Sequence, residues 1–288
     1  AELGLWTKGG CAGLFNVTGA ITACGSTQDA SCPRGALPAP NASCGLMILT
    51  SYFTTKKDWQ RGKYAKGSFS KIQKLYQTAL KVGMNVTVIY DSLPDELIRK
   101  YACTLFSFVR VDLGDFDKRY GVNDVRYFFF DRLVRAHPEW AAIFIVDAFD
   151  VRVGTNPCSG LREGMLYVGH EQDRLRRHPW MKARFQKMGG RYNEWYKTKV
   201  SDKTKILNCG ITGGRRDVML KLLGRMTEVL TDPAIAVRQK KEDINLNMAS
   251  LNYIVYTDFA GRFTGNSPVH SVYKRFETKR KDVWFIHK

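Results

Sequence analysis

Hydrophobic and polar positions along the chain follow two periods, one typical of strands and one typical of helices. Short apolar runs predict buried strands, which cover residues 45–52, 86–90, 105–111, 142–146 and, more weakly, 165–168. Apolar residues at helical spacing predict helices, which cover residues 68–82, 94–101, 123–136, 217–230 and 244–251. Two further strands are predicted over 253–256 and 283–286. This alternation predicts an α/β domain over residues 45–288, with a mainly parallel central sheet and helices on both faces.

Ligands of such sheets bind off the carboxyl ends of the parallel strands. Asp91 follows the strand over 86–90, and Asp147 follows the strand over 142–146. The stretch 174–205 is rich in Arg and Lys, so we expect an exposed insertion there.

Residues 1–44 have a different composition and predict a separate, loop-rich extension. They are rich in Gly, Ala, Ser, Thr and Pro, and they hold four of the seven cysteines, Cys11, Cys24, Cys32 and Cys44. Such a segment cannot build a hydrophobic core, so disulfides are its expected source of order. A zinc site is the alternative, but the spacing contains no C-x-x-C pair.

The pairing of the cysteines stays open at this point, because four cysteines allow three arrangements. Cys103 and Cys158 are candidates for a further pair, and Cys209 for a free buried thiol.

Three glycosylation sequons, at Asn16, Asn41 and Asn85, agree with an oxidising compartment. We therefore expect residence in the secretory pathway, in the Golgi lumen. No apolar run is long enough to span a membrane, and the chain begins at Ala1. We expect any membrane attachment to be through an N-terminal anchor that stood before Ala1 and has been trimmed away, as in type II membrane proteins.

The chain is strongly basic, with a net charge of +18. Nucleic acid is a common partner of such proteins, but the Lys and Arg residues are scattered and no nucleic-acid-binding motif is present. We predict no nucleic-acid partner. An anionic small substrate, an acidic glycan or membrane surface, and simple solubility all fit the charge.

The segment Asp147–Asp150 carries the most specific chemistry. Its two carboxylates follow the apolar run 143–146, and they repel each other unless a cation, an arginine or a helix N-terminus compensates. A divalent ion, Mn²⁺ or Mg²⁺, shared with a substrate diphosphate would compensate them. The alternative is one capping and one ion-paired aspartate in a loop.

This strand with its two acids resembles the D-x-D region of glycosyltransferases of the GT-A fold. The D-x-x-D spacing is similar to that in the glycosyltransferase domain of multifunctional procollagen lysyl hydroxylases. The resemblance covers residues 45–288. It implies a metal-dependent glycosyltransferase that moves a sugar from a nucleoside-diphosphate sugar, a UDP-sugar, to a hydroxyl of a glycan or glycoprotein acceptor. A sugar nucleotidyltransferase and a catalytically inactive glycan-binding module of the same fold are the alternatives.

The resemblance also assigns residues later in the chain. The stretch 207–214 is similar to a Gly-rich segment downstream of the acidic motif, so Asn208, Gly213 and Gly214 are candidates for donor binding. The alternative is a tight turn; a P-loop is excluded, because no G-K-S/T follows. Glu242 and Asp243 are candidates for the catalytic base, with a helix N-terminus enriched in acids as the alternative.

His287 is the candidate third metal ligand beside Asp147 and Asp150, because related enzymes supply a late histidine from a strand. His270 is its competitor. The remaining candidates for donor binding lie at strand ends, at helix starts or near the C-terminus: Thr50, Tyr52, Asp91, Asn123, Arg126 and Lys288, with Lys274 as the alternative to Lys288.

Overall fold

The computed structural model describes Cys32 and residues 44–114, 120–235, 244–275 and 277–288, and also the backbone of 4–8, 11–15 and 21–23. In chain order the strands are β1 (Gly4–Lys8), β2 (Cys11–Phe15), β3 (Ile21–Ala23), β4 (Leu46–Tyr52), β5 (Asn85–Tyr90), β6 (Phe106–Val111), β7 (Ala142–Val146), β8 (Val151–Val153), β9 (Leu166–Arg174), β10 (Lys205–Arg215), β11 (Phe263–Thr264) and β12 (Phe285–His287). The helices are α1 (Gln73–Val82), α2 (Asp95–Tyr101), α3 (Val122–Ala136), α4 (Pro179–Met188), α5 (Gly190–Thr198), α6 (Arg216–Thr231) and α7 (Asn247–Asp258).

The main sheet has the strand order β1-β2-β3-β6-β5-β4-β7-β10-β9-β11. Strands β6, β5, β4 and β7 are parallel, whereas β10 is antiparallel to both of its neighbours. All five residues of β7 are buried, as expected for a central strand that is covered on both faces. The predicted α/β class with a mainly parallel core is confirmed.

Helices cover both faces of this sheet. One core contains α3, α4, α5, α6 and α7, and the other contains α1 and α2. Helix α1 buries Leu75, Tyr76, Ala79 and Leu80 on a single stripe and ends at Gly83, whose φ of 72° is easily adopted without a Cβ. The small sheet of β8 and β12 lies beside the second core and holds the C-terminal residues against the turn after β7.

The N-terminal extension differs from its prediction in two respects, namely its secondary structure and the partners of its cysteines. Strands β1, β2 and β3 extend the sheet in antiparallel fashion at the edge formed by β6, where a loop was predicted. Disulfides join Cys32 to Cys103 and Cys44 to Cys158, so the suggested Cys103–Cys158 pair is wrong. The prediction of a disulfide-held extension is confirmed, and both disulfides are typical of a secreted or lumenal protein.

Cys209 is a free and buried thiol, as predicted. Cys24 and the side chain of Cys11 lie outside the described residues.

Three sequence-based element assignments differ from the structure. The stretch 174–205 contains α4 and α5, whose inner residues Met181, Phe185 and Tyr192 are buried, so it is not an exposed insertion. Residues 253–256 belong to α7 and not to a strand. The Gly-rich stretch 207–214 lies within β10, although its register against β9 is interrupted between Asn208 and Thr212. None of the described helices is long and apolar enough to cross a membrane.

Candidate functional site

A cavity of about 560 Å³ opens at the carboxyl ends of β4 and β7, a size that is typical of small-ligand sites. Six residues predicted from sequence line this cavity: Asn123, Arg126, Asp147, Asp150, Asn208 and His287. They come from the start of α3, the turn after β7, the first half of β10 and the end of β12. The fold thus brings together groups that are separated by up to 164 positions in the chain.

The turn after β7 presents its two acids to two different arginines. The Arg126 Nη1 atom lies 2.6 Å from Asp147 Oδ1, and Arg61 Nη2 lies 3.2 Å from Asp150 Oδ2. Burial opposes ionisation of Asp147, but Arg126, with smaller contributions from His287 and Arg61, holds the pKa of Asp147 below its usual range. Both acids therefore contact cationic groups, as expected for adjacent carboxylates at a strand end.

His287 is brought beside these acids by the pairing of β12 with β8. In that register His287 lies opposite Val151, and the next backbone N–H, of Lys288, donates to the Asp150 carbonyl at 2.9 Å. The imidazole is buried, and its Nδ1 atom has no hydrogen-bond partner among the residues that the structure describes. Burial lowers the pKa of His287, and the carboxylates of Asp147 and Asp150 oppose this effect only in part. The ring is therefore neutral near pH 7.

Gly210 lets the backbone of β10 pass closely beside this histidine. A Cβ atom at position 210 would overlap the His287 ring and would stand 2.8 Å from Asn208 Oδ1. The Gly210 N–H donates to Asn208 Oδ1 at 2.6 Å, and its carbonyl accepts from Asp147 N at 3.0 Å. Only glycine fits at this junction of the acidic turn, β10 and His287.

As the side chains stand, no three His, Cys, Asp or Glu groups within the described ranges cluster closely enough to hold a metal ion. The two aspartates turn toward guanidinium groups instead. His270 does not compete with His287, because both of its nitrogens are used in hydrogen bonds to the backbone. Its Nε2 accepts from His170 N and Asn266 N, and its Nδ1 donates to the Ser271 carbonyl at 2.7 Å.

The rest of the wall is rich in cationic and polar groups. The basic residues on it are Lys56, Arg61, Lys63, Lys66, Lys71, Arg126 and Lys274, and the acidic ones are Asp58, Asp147, Asp150 and Glu171. Positive charge is thus in excess, which favours anionic ligands over cationic ones.

Three predicted donor residues have structural roles away from the cavity. The Thr50 hydroxyl donates to the Val146 carbonyl at 2.7 Å and ties β4 to β7. The Tyr52 hydroxyl bonds to the backbone of Lys66 and Ser68, so its ring is not free to stack on a base. Asp91 is buried, and it accepts hydrogen bonds from residues 54 and 55 through both carboxylate oxygens.

Gly213, Gly214 and Lys288 are also placed elsewhere. A Cβ on Gly213 would overlap the Phe144 ring, and one on Gly214 would lie 2.9 Å from the Met165 carbonyl. These two glycines serve the packing of the sheet. The Lys288 side chain is exposed and does not line the cavity, whereas that of Lys274, the alternative phosphate contact, does line it.

Glu242 and Asp243, the predicted catalytic acids, lie outside the described residues. The structure places another carboxylate in the cavity, that of Glu171, which accepts from Asn208 Nδ2 at 2.7 Å. Glu171 was not predicted from the sequence, although it stands shortly after the weak apolar run 165–168 and within β9. Tyr64 and Trp180, which also line the cavity, were not predicted as site residues, because no motif or hydrophobic pattern around them indicates a binding role.

Comparisons with known proteins add little to this picture. No protein-family model matches the chain, and no curated protein matches it. Among solved structures, a similar one is that of a glycosyltransferase involved in the glycosylation of the major capsid of PBCV-1, with 13% identity and a TM-score of 0.44. The match covers 84% of this chain and 91% of that one. This likeness is too weak to support a function, so any functional proposal depends on the cavity itself.

Proposed function

We propose that this chain is a glycosyltransferase that transfers a sugar from a nucleoside-diphosphate sugar, most simply a UDP-sugar, to an acceptor hydroxyl with the help of a divalent ion. One observation carries the proposal. The acidic turn Asp147–Asp150 and His287 meet in one cavity at the carboxyl ends of parallel strands, among an excess of basic side chains. Asn208 and Asn123 line the same cavity, and their amides suit sugar or ribose hydroxyls.

The residues of the acidic turn fit Mn²⁺ or Mg²⁺ by their chemistry. Two carboxylates and a neutral imidazole form a mixed oxygen and nitrogen donor set, and the buried His287 Nδ1 lacks a partner within the described part of the chain. Arg61 and Arg126 now neutralise the two aspartates, as a cation would. Asp150, Asp147 and His287 would hold the ion. When bound, the ion would neutralise charge that grows on the leaving diphosphate.

The basic wall would bind the donor diphosphate. Arg61, Lys63, Lys66 and Lys274 line the cavity. Arg61 already reaches Asp150, so its guanidinium lies where a phosphate oxygen bound near that acid would be in contact. These residues would hold the leaving group in place while the acceptor approaches the anomeric carbon.

In the transfer step the acceptor oxygen forms a bond to the anomeric carbon, the bond to the diphosphate breaks, and the acceptor proton goes to a base. Glu242 and Asp243 remain our proposal for that base from sequence. Glu171 is the candidate in the described cavity, and its hydrogen bond to Asn208 holds the carboxylate in position.

The same proposal places the protein in the secretory pathway, in the Golgi lumen, with a glycan or glycoprotein acceptor. The two disulfides support an oxidising compartment. Nucleotide sugars are the partners that the basic cavity is suited to bind.

Calorimetric titration of UDP with and without Mn²⁺ tests the proposal. We expect UDP to bind more tightly with Mn²⁺, and Asp150→Ala to abolish that difference. Asp131→Ala is the matched control, because Asp131 also pairs with an arginine, Arg135 at 2.9 Å, but lies outside the cavity. UDP release from UDP-sugars, measured on the same proteins, reports turnover.

The alternatives predict different results. A sugar nucleotidyltransferase would release pyrophosphate from UTP or CTP in the presence of a sugar 1-phosphate. An inactive glycan-binding module would bind no nucleotide, and that result would contradict the proposed transfer.

A further inference from the structure

Half of the net charge of the chain lies in one short stretch. Residues 174–205, which we call the basic helix pair, contain eleven Lys and Arg residues but only two acids, Glu194 and Asp202. The stretch thus carries +9 of the total charge of +18. It contains α4 and α5.

The basic helix pair is packed and held in place. Met181, Phe185 and Met188 of α4 are buried in the same core as Tyr192 and Tyr196 of α5. The Arg176 guanidinium donates to the carbonyls of Lys197 and Val200 at 2.9 and 2.8 Å, which ties the chain before α4 to the end of α5. With the apolar side chains directed inward, Lys182, Lys197 and Lys199 are left exposed.

This charged surface continues into the cavity of the candidate site. His178, Trp180 and Met181 line the cavity from the helix pair. The Arg184 guanidinium lies 4.2 Å from the centre of the Trp180 ring, so charge and aromatic surface are combined there.

A second basic segment lines the same cavity. Residues 58–66 supply Arg61, Lys63 and Lys66, and between them stands Tyr64. Among the residues that the structure describes, Tyr64 is the one large hydrophobic side chain that is exposed, at 62%. An exposed aromatic ring between cations suits a ligand that has both apolar faces and negative charges.

We infer that the acceptor is an acidic glycan, carboxylated or sulfated, which lies along the basic helix pair and enters the cavity beside Trp180 and Tyr64. The inference rests on the proposed glycosyl transfer and names its substrate class. Sugar rings offer apolar faces to aromatic side chains, and their carboxylate or sulfate groups pair with Lys and Arg. A glycan, unlike a membrane surface, can also reach Asn208 and Glu171 inside the cavity.

Fluorescence anisotropy with a labelled sulfated, uronate-containing hexasaccharide tests this inference. The test variant is Lys182→Glu/Lys197→Glu/Lys199→Glu. The control is Lys74→Glu/Lys81→Glu/Lys100→Glu, which changes the net charge equally, but on α1 and α2 against the other core. At low salt we expect roughly tenfold weaker binding or more for the test variant, and a much smaller change for the control. A neutral hexasaccharide should bind neither protein.

Tyr64→Ala tests the aromatic contact separately from the charge. We expect weaker binding of the acidic hexasaccharide by Tyr64→Ala with unchanged salt dependence, because no charge is removed. Equal losses in the test and control variants would overturn the inference, because they would indicate a nonspecific effect of net charge. Tighter binding of a single-stranded oligonucleotide of equal charge would also overturn it, in favour of a nucleic acid.

UDP binding with Mn²⁺, measured on the same proteins, separates this inference from the proposed function. We expect it to be unchanged in both lysine variants. If the wild type bound the acidic hexasaccharide through the helix pair but bound no UDP, the acidic-glycan surface would stand and the proposed transfer would fall. If the wild type bound UDP but no acidic hexasaccharide, the proposed transfer would stand and the acidic-glycan surface would fall.

Discussion

At the scale of single residues, Gly210 controls whether His287 can lie beside the acidic turn. Gly210→Ala adds a Cβ that overlaps the imidazole, so the ring must move away from Asp147 and Asp150. We expect this variant to lose most of the Mn²⁺-dependent gain in UDP affinity while it remains folded. Calorimetric titration of UDP with and without Mn²⁺ measures the change.

Gly224→Ala is the matched control for this substitution. Gly224 lies within α6, where its Cβ would be 3.5 Å from Arg135 Nη2, an ordinary contact. Alanine favours helix, so the control should be more stable by about 0.5–1 kcal/mol and should bind UDP normally. Unchanged Mn²⁺ dependence in Gly210→Ala would show that His287 does not contribute to the metal site.

His270 gives the molecule a pH dependence that can be measured without a substrate. Burial lowers the pKa of His270 to about 4, with the neighbouring His170 and His287 adding to the effect. The unfolded chain takes up this proton near pH 6.5, whereas the folded protein does so only near pH 4. Stability is therefore complete above pH 6.5 and falls as the pH decreases toward 4, by roughly 3 kcal/mol.

Urea unfolding across this pH range measures the loss for the wild type and for His270→Gln. Glutamine cannot take up a proton, so the variant should be less stable at neutral pH but should show a shallower decrease with acid. The half-buried His170 and the buried His287, whose pKa values are also lowered, would supply the remaining slope. An unchanged slope in His270→Gln would assign the acid sensitivity to other groups.

At the scale of secondary structure elements, a single buried carboxylate connects two helices that line the cavity. Asp124, in the first turn of α3, accepts from the backbone N–H groups of Leu246 and Asn247 at 3.0 and 2.8 Å. It thereby caps α7, 122 residues further on in the chain. The N-cap of α3 itself is Gly121.

Asp124→Ala should lower the free energy of unfolding by about 2 kcal/mol, because two buried N–H groups lose their acceptor. Asp124→Asn retains one acceptor oxygen and should lose less. Burial raises the pKa of Asp124 to about 7, so near neutral pH part of the population is protonated and already resembles the amide. Urea unfolding of the three proteins gives the comparison, and equal stability of Asp124→Ala and the wild type would exclude the capping role.

The elements that could be predicted from sequence are those with a strong local period. Strand β7 is uniformly apolar and was predicted with its observed bounds. Helix α1 carries a clear apolar stripe, so its end at Val82 was predicted, although it begins at Gln73 and not at residue 68. Helices α4 and α5 were missed because their many cations obscure the spacing of Met181, Phe185 and Tyr196. Strand β10 was missed because its glycines signal a turn, although Gly213 and Gly214 are needed for close packing against Phe144 and residue 165.

Part of the candidate site could also be predicted, because its residues stand next to strongly apolar runs. Asp147 and Asp150 follow the parallel strand β7, where ligands of such sheets bind, and His287 stands at the end of another apolar run, in β12. The structure brings all three to one cavity. Tyr52 and Asp91 stand at similar ends, but the loop over residues 54–68 folds back and takes up their polar atoms in hydrogen bonds. No local pattern indicates where such a loop will fold.

At the scale of the whole molecule, two disulfides fasten the N-terminal extension to the rest of the domain. Cys32 joins Cys103, just before β6, and Cys44 joins Cys158, just after β8. The second disulfide encloses 114 residues, which include β4, β7 and the acidic turn. The cavity is therefore built largely within a covalent loop.

Removal of the second disulfide in Cys44→Ala/Cys158→Ala should destabilise the whole domain. In the chain-entropy description, release of a loop of 114 residues costs about 5 kcal/mol, and release of the 71-residue loop of Cys32–Cys103 costs about 4 kcal/mol. Since 1 kcal/mol corresponds to somewhat less than about 2 °C for a chain of this size, we expect each double variant to melt at a temperature about 7–8 °C lower. Scanning calorimetry measures the difference. A change of only one or two degrees would mean that packing of the sheet, and not the disulfides, fixes the extension to the core.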